Sequence, residues 1–470
     1  MINVAYNQIL VYSTEGNKLL PCSNIIDYDV HPWHTVDLAE IENLKTKHGI
    51  DYPYTLHADD SKELREDLNR LNSQDFSFMI DSHNKTKFRM CTVDEVYESG
   101  EYFVYPIILY SYDLFVKYDT IDIPEKVVIS VLNKKCKICF IQPTEGFFGH
   151  RITDIYWMYN FSKKYGFDKD GVIMITANLK AQNFKDRLLY NKEIQDNFTI
   201  FPFSYFQHNL WFTNCMVLNE ECVEKMKVKF EECLEDNKKE RKEYHFLCFN
   251  RVTKIHRLVM FAELMCNDLL KNKSITTLGA SHLDIKNQFF IMILNELSNT
   301  YEHSKNKILN FYLDYDSTKH YTFDCDDLEK NKADVLNLSA HKNTFVNIIT
   351  ESLVDDKSIF FSEKTFKPMA CAQPFIMVGN PHSLKKLRKL GFMTFNKWWD
   401  ESYDNETNFT ARMDKIVSVL EDIASWDMEK CHKITQEMEE VFVNNFNVMT
   451  SDKEVMKLID LLKSKPIRLI

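Results

Sequence analysis

"YHFLCFNRVTKIHRLVMFAELMCNDLLKN", residues 244–272, decides the fold. Its first seven residues are an apolar and aromatic run too short for a helix and suited to a buried strand. Polar residues follow, and then Ile255, Leu258, Val259, Ala262, Leu264, Met265 and Leu269 keep one side of a helix covered. A helix needs such a stripe when it packs on a sheet. Strand, short turn and helix together form a unit that is stable only beside further strands, which predicts an α/β fold.

Upstream, the short runs "YFVYPIILYSY" (102–112), "KVVISVL" (126–132), "KICFIQP" (137–143) and "GVIMITAN" (171–178) read as further buried strands. "RITDIYWMYNFSKKYGF" (151–167) reads as a helix between two of them. Residues 219–244 are dense in charge and free of Gly and Pro, predicting an exposed helix that bridges to a second domain. Downstream come an expected helix over 282–299, an acidic stretch at 314–334, an apolar run at 344–349 and helices near 406–424 and 427–446. The expected organisation is an N-terminal α/β domain over 1–240, a second over 241–425, and a helical tail over 426–470 that packs back.

With 470 residues, 44% of them hydrophobic, the chain can fill the cores of two or three domains. Its net charge of −11 repels a nucleic-acid backbone at long range but leaves room for a local basic face. Of the 12 cysteines, Cys136 and Cys139 form the close pair, without the second CxxC or His pair that completes a zinc site. Reduced thiols and a cytoplasmic location are expected. The first 20 residues lack the basic start and apolar run of a leader, and no stretch approaches the roughly 20 apolar residues that span a bilayer. The 10 glycines form neither GxGxxG nor a P-loop, so a phosphate must be met by helix ends and basic side chains.

"FFSEKTFKPMACAQPFIMVG" (360–379) offers such a place. Ser362 or Thr365 can cap a helix, with Pro368 tolerable in its first turn. Lys364 and Lys367 then join the positive helix end in favouring a phosphate, while Glu363 can accept from ribose hydroxyls. The same residues read equally well as a solvated first turn. "CFNRVTKIHR" (248–257) supplies a second strand-to-helix junction with Asn250, Arg251, Lys254 and Arg257. In an open α/β sheet, junctions of this kind can converge on one crevice. A solvated face with snorkelling stems remains open for either arginine alone.

"FVNIITESLVDDKSIFFSEKTFKPMACAQPFIMVG" (345–379), with "NPHSLKKLRKLGFMTF" and "DESYDNE" after it, resembles the donor-binding domain of GT-B glycosyltransferases. The S-E-K-x-x-K-P core is similar to that of α1,3-fucosyltransferases and exostosin-type enzymes. With "FLCFNRVTKIHR" included, the fuller likeness is to bacteriophage proteins that resemble glycosyltransferases. It covers roughly residues 244–425, the length of one domain. It implies two Rossmann-like domains facing a cleft, with Glu363 on the donor ribose, Lys364 on the diphosphate and Arg257 at a second phosphate position. "KPMACAQPF" departs from the fucosyltransferase pattern, so the donor sugar is not carried over.

A catalytic base would come from "IQPTEGFFGHRITD" (141–154), where Gly146 and Gly149 permit close approach of a ligand. Glu145 resembles the acidic residue at a similar strand end in fucosyltransferases. His150 and Asp154 are alternatives, and a turn Glu in water is an equal reading. Asp314 with Asp316 and Asp324 with Asp326 form DxD pairs, a weak metal signal among 69 acidic residues, and are read as solvated loop. Lys385, Lys386, Arg388 and Lys389 form a basic strip on a helix ended by Gly391, solvated by default and suited to a DNA backbone.

The expectation is therefore a glycosyltransferase that requires no metal or other cofactor and takes a nucleoside-diphosphate sugar. It passes the sugar to a hydroxyl acceptor. The phage likeness implies a hydroxymethylated base of phage DNA, such as 5-hydroxymethylcytosine, and a place in the host cytoplasm. A glycan or protein acceptor, or a catalytically silent GT-B-like binding protein, remains open.

Overall fold

The computed structural model describes residues 2–6, 11–12, 19–20, 46–47, 88–108, 123–142, 148–149, 151–208, 220–250, 254–278, 306, 308, 310–312 and 336–464. The chain is mixed α/β and divides into two compact units, Met1–Asn209 with Asp452–Ile470, and Leu210–Ser451.

The first unit is built on β1 (Ile2–Tyr6), β4 (Phe88–Thr92), β5 (Phe103–Ile108), β6 (Cys136–Gln142), β7 (Val172–Thr176) and β8 (Thr199–Pro202). They form one sheet in the order β4-β1-β5-β6-β7-β8, with every pairing parallel. A short antiparallel pair, β2 (Val11–Tyr12) and β3 (Leu19–Leu20), stands apart from it. Parallel neighbours require crossover connections, and this explains one departure from the sequence reading. "KVVISVL" is not a strand but the body of a helix, Glu125–Leu132, which carries the chain from β5 to β6. Pro124 starts that helix, and Val127, Ser130 and Val131, three to four residues apart, form its buried face.

Counting helices in chain order, α1 is Val93–Ser99, α2 Glu125–Leu132, α3 Ile152–Tyr165, α4 Ala181–Tyr190 and α5 Tyr205–His208. Gly166 closes α3 with φ at +72°, the left-handed C-cap that favours glycine. The core beneath these helices centres on Phe140, which meets the rings of Trp157 and Phe161 edge-on at 5.5 and 5.0 Å.

The second unit carries four parallel strands, β9 (Tyr244–Asn250), β10 (Ser274–Leu278), β11 (Thr344–Thr350) and β12 (Phe375–Val378), in the order β10-β9-β11-β12. Its helices are α6 (Glu220–Lys239), α7 (Ile255–Cys266), α8 (Leu338–Asn343), α9 (Glu363–Ala370), α10 (Ser383–Lys389), α11 (Phe409–Ala424), α12 (Met428–Glu437) and α13 (Glu439–Met449).

The boundary falls at 209/210 rather than 240/241, because α6 packs within the second unit instead of bridging to it. Phe230 of α6 stacks on Phe446 of α13 with centroids 4.3 Å apart, and Asn237 donates to the Ala372 carbonyl at 2.8 Å. The expected tail is also divided. Residues 428–449 form two helices broken at Met438 and remain in the second unit, while α14 (Lys453–Lys463) belongs to the first. The end of α14 is fastened there by side chains that satisfy its last carbonyls. Buried Lys137 donates to Leu461 O at 2.5 Å and Tyr102 to Leu462 O at 2.9 Å.

The expected helix at 282–299 and both DxD pairs lie outside the described residues. Among the described residues no helix is long and apolar enough to cross a membrane. Cys91, Cys136, Cys139, Cys233, Cys248, Cys266, Cys371 and Cys431 are free thiols, whereas Cys222 is disulfide-bonded, which corrects the expectation of reduced thiols throughout.

Candidate functional site

In the second sheet the chain leaves β9 first toward β10 on one side and later returns to β11 on the other. This reversal of direction falls at the carboxyl ends of β9 and β11, the usual ligand position in such sheets. The last residue of each strand faces its neighbour. The Thr350 hydroxyl donates to Asn250 Oδ1 at 2.6 Å, and the Asn250 backbone N–H donates to Thr277 Oγ1 at 3.1 Å. Asn250 thus has its side-chain oxygen committed to joining strand ends. Arg251 lies outside the described residues.

The first turn of α7 then reaches across to the backbone that leaves β11. Lys254 donates to Ser352 O at 2.8 Å, and Arg257, only 3% exposed, donates to Thr350 O and Glu351 O at 3.3 and 3.4 Å. Between them His256 Nε2 meets Glu351 O at 2.7 Å. A carbonyl only accepts, so Nε2 carries the hydrogen. Burial lowers the His256 pKa to about 3, with the charges of Arg257, Lys254 and Lys364 pushing the same way. The imidazole therefore stays neutral, and three cations from two separate segments bear on it.

Glu351 ties the second segment in. Its buried carboxylate accepts from Ser352 N–H at 3.1 Å, Ser362 N–H at 3.0 Å, the Ser362 hydroxyl at 2.7 Å and the Thr365 hydroxyl at 2.5 Å. The N-terminus of α9 is consequently held against the end of β11. Ser362 is the N-cap, its Oγ accepting from Lys364 N–H at 3.4 Å. Glu363 opens the helix, buried, with Lys364 Nζ 2.7 Å from its Oε1. Burial alone would raise the Glu363 pKa, but Lys364 and Lys367 outweigh it and hold the carboxyl below its ordinary value. An ionised acceptor thus sits between two cations at a positive helix end. Pro368 is the sixth helical residue and not in the first turn as expected. Only two helical residues follow it, so it weakens the helix end rather than its start.

The structure brings Asn250, Lys254, Arg257, Glu363 and Lys364 to the carboxyl ends of β9 and β11, while Lys367, one turn further along α9, acts on Glu363 and also on His341 and Cys371. Reading the sequence missed Glu351 and His256, although Glu351 directly follows the strand run "TFVNIIT" and His256 sits inside "CFNRVTKIHR". The signal available was position at a strand's carboxyl end, without any spacing that marks the partners.

In the first unit, Glu145, Gly146 and His150 lie outside the described residues. Asp154 is engaged in the start of α3, accepting from Gly149 N–H at 3.0 Å and Arg151 N–H at 3.2 Å, a capping arrangement that commits its carboxylate. Gly149 has φ at +79°, and a Cβ there would lie 3.2 Å from the Ala181 Cβ. Its glycine provides a left-handed turn packed on α4. Of the basic strip, Lys385, Arg388 and Lys389 are exposed, and Arg388 has its charge paired there, donating to Thr394 Oγ1 at 2.7 Å and Glu401 Oε2 at 2.9 Å. Among the described residues no three His, Cys, Asp or Glu side chains converge as a metal-holding group.

No protein-family model matches the chain, and no curated protein matches it at a significant level.

Proposed function

We propose that the protein is a glycosyltransferase of GT-B architecture whose second unit binds a nucleoside-diphosphate sugar at the carboxyl ends of β9 and β11. The observation that carries this reading is the convergence of Lys254, Arg257 and Lys364 around a neutral His256 at the reversal point of a parallel sheet. Cations gathered there suit a diphosphate, and Glu363 supplies the acceptor that a ribose hydroxyl needs.

In the reaction the bond from the anomeric carbon to the diphosphate oxygen breaks, with the electron pair leaving on the diphosphate. A new bond forms to the acceptor oxygen, whose proton passes to Glu145, with His150 as the alternative base. Lys364 and Arg257 stabilise the charge that develops on the leaving diphosphate. The resemblance to bacteriophage glycosyltransferase-like proteins favours a hydroxymethylated base of phage DNA as acceptor, over a glycan or protein hydroxyl.

One observation favours the rival reading of a silent, GT-B-like binding protein. Lys254 and Arg257 donate to backbone carbonyls, and Lys364 pairs with Glu363, so each basic group has a partner within the fold. The deciding experiment is a thermal-shift and hydrolysis panel against UDP-, GDP-, CMP- and ADP-sugars, with and without divalent metal and chelator. Stabilisation by one donor with slow hydrolysis, both weakened in Lys364→Ala, supports the transferase. Absence of any shift supports the binding protein.

A further inference from the structure

Away from the β9/β11 edge, a second cluster of reactive groups lies where α6 meets the turn after α9. Cys233 and Asn237 are four residues apart on α6 and therefore share a face. Asn237 Nδ2 donates to Ala372 O at 2.8 Å, which brings Cys233 beside Cys371, the C-cap of α9. The two thiols lie close enough for each to perturb the other, and both are nearly fully buried, Cys233 at 2% and Cys371 at 5% exposed. Lys242 donates to Asn237 Oδ1 at 2.7 Å, and Lys342 pairs with Asp236 at 2.5 Å, so two ammonium groups border the sulfurs.

We propose that Cys233 and Cys371 are a reversible redox pair, which a peroxide converts to a disulfide fastening the end of α9 to α6. The direction of attack follows from the surroundings. The neighbouring Cys371 thiol lowers the Cys233 pKa, with Lys342 and Lys242 adding to it against Asp236, while burial raises that of Cys371. Cys233 is the attacking thiolate, and Cys371 the resolving thiol. The Cys233 sulfur attacks one peroxide oxygen and breaks the O–O bond, leaving a sulfenic acid and, after protonation, water. The Cys371 sulfur then attacks the Cys233 sulfur, forming S–S as S–O breaks and a second water leaves. Two thiols lose two electrons and one peroxide gains them. A small neutral oxidant suits the burial of the pair better than a bulky disulfide does.

A disulfide holds its sulfurs about 2 Å apart, closer than two unbonded thiols approach, so oxidation draws the end of α9 toward α6. The same helix carries Glu363 and Lys364 in its first turn. On the reading of that turn as a donor site, oxidation changes nucleotide-sugar affinity.

The test treats the full-length, reduced protein with hydrogen peroxide and maps unreduced peptides by mass spectrometry. A linked Cys233–Cys371 pair, lighter by two hydrogens, released by dithiothreitol and absent from both Cys233→Ser and Cys371→Ser, is the expected result. Both cysteines remaining alkylatable while other thiols oxidise, or a sulfinic acid at Cys233 with no link, overturns the proposal. Nucleotide-sugar thermal shifts are then compared between the two forms, with about a tenfold loss of affinity expected on oxidation, as small displacements of binding groups produce. Equal affinity in both forms removes the regulatory consequence. If neither form binds a nucleotide sugar while the link forms, it is the donor-site reading that fails, and the redox pair stands.

Discussion

Glu351 holds Ser362 through both of its carboxylate oxygens, Oε1 accepting the Ser362 backbone N–H at 3.0 Å and Oε2 its hydroxyl at 2.7 Å. This double bond of contact joins the end of β11 to the cap of α9 and so sets where Glu363 and Lys364 stand. Fixing a helix start on a strand end in this way gives the first-turn groups little freedom to move.

Replacing Glu351 by Ala removes the acceptor of four donors, three of them on Ser362 and Thr365. Leaving buried donors unsatisfied costs on the order of 3 kcal/mol. For a unit of this size the melting temperature is expected to fall by roughly 6–12 °C. Differential scanning calorimetry checks it, and a fall of under about 2 °C would show that the network contributes little.

Lys364→Ala has a different profile. Its ion pair is with the buried Glu363, so losing it leaves that carboxylate with Lys367 as the cation still acting on it. A fall in melting temperature of about 4 °C is expected, together with nucleotide-sugar affinity lower by about tenfold. Titration calorimetry separates the two effects. Unchanged affinity would remove the diphosphate from this helix end.

Acid should weaken the fold through two buried imidazoles. His256 is held at about 3 and His341 at about 4, chiefly by burial. Both lie below the ordinary value near 6.5, so the unfolded chain takes up protons first as pH falls. Their contribution is complete above pH 6.5 and is lost downward toward pH 4 and 3, amounting by pH 5 to about 2 kcal/mol for each. Urea unfolding at pH 7 and pH 5 measures the loss. In His256→Gln and His341→Asn the difference between the two pH values should shrink, and an undiminished difference would assign the acid sensitivity elsewhere.

Ala372 has φ at +48°, in the left-handed region that a Cβ disfavours. Ala372→Gly is expected to stabilise by up to about 1 kcal/mol, the relief of backbone strain exceeding the loss of one methyl group and the added freedom of the unfolded chain. Chemical denaturation reads it directly, and a destabilised variant would mean that the methyl contact outweighs the strain.

Much of this arrangement was legible along the chain because it depends on local rules. The run "YHFLCFN" and the apolar stripe after it led to β9 and α7, and Ser362 was recognisable as a cap. Local pattern misled at "KVVISVL", where β-branched residues suit a strand in isolation but parallel β5 and β6 require a helix between them. It also misled at 219–244, where high charge suggested a bridge, although Phe230 and Asn237 bury one face of α6 in the second unit.

By itself, the sequence determined strands such as β6, β7 and β9, the helix α7, and which basic residues stand at strand-to-helix junctions. Those properties follow from hydrophobic period and capping within a few residues. Only the tertiary structure decided that β9 lies between β10 and β11, and that Glu351 reaches Ser362 and Thr365. It likewise brought Lys254, Arg257 and Lys364 to bear on one imidazole, and Cys233 against Cys371. Those relationships join residues separated by about ten to more than a hundred positions, and strand order and packing, rather than any spacing along the chain, bring them together.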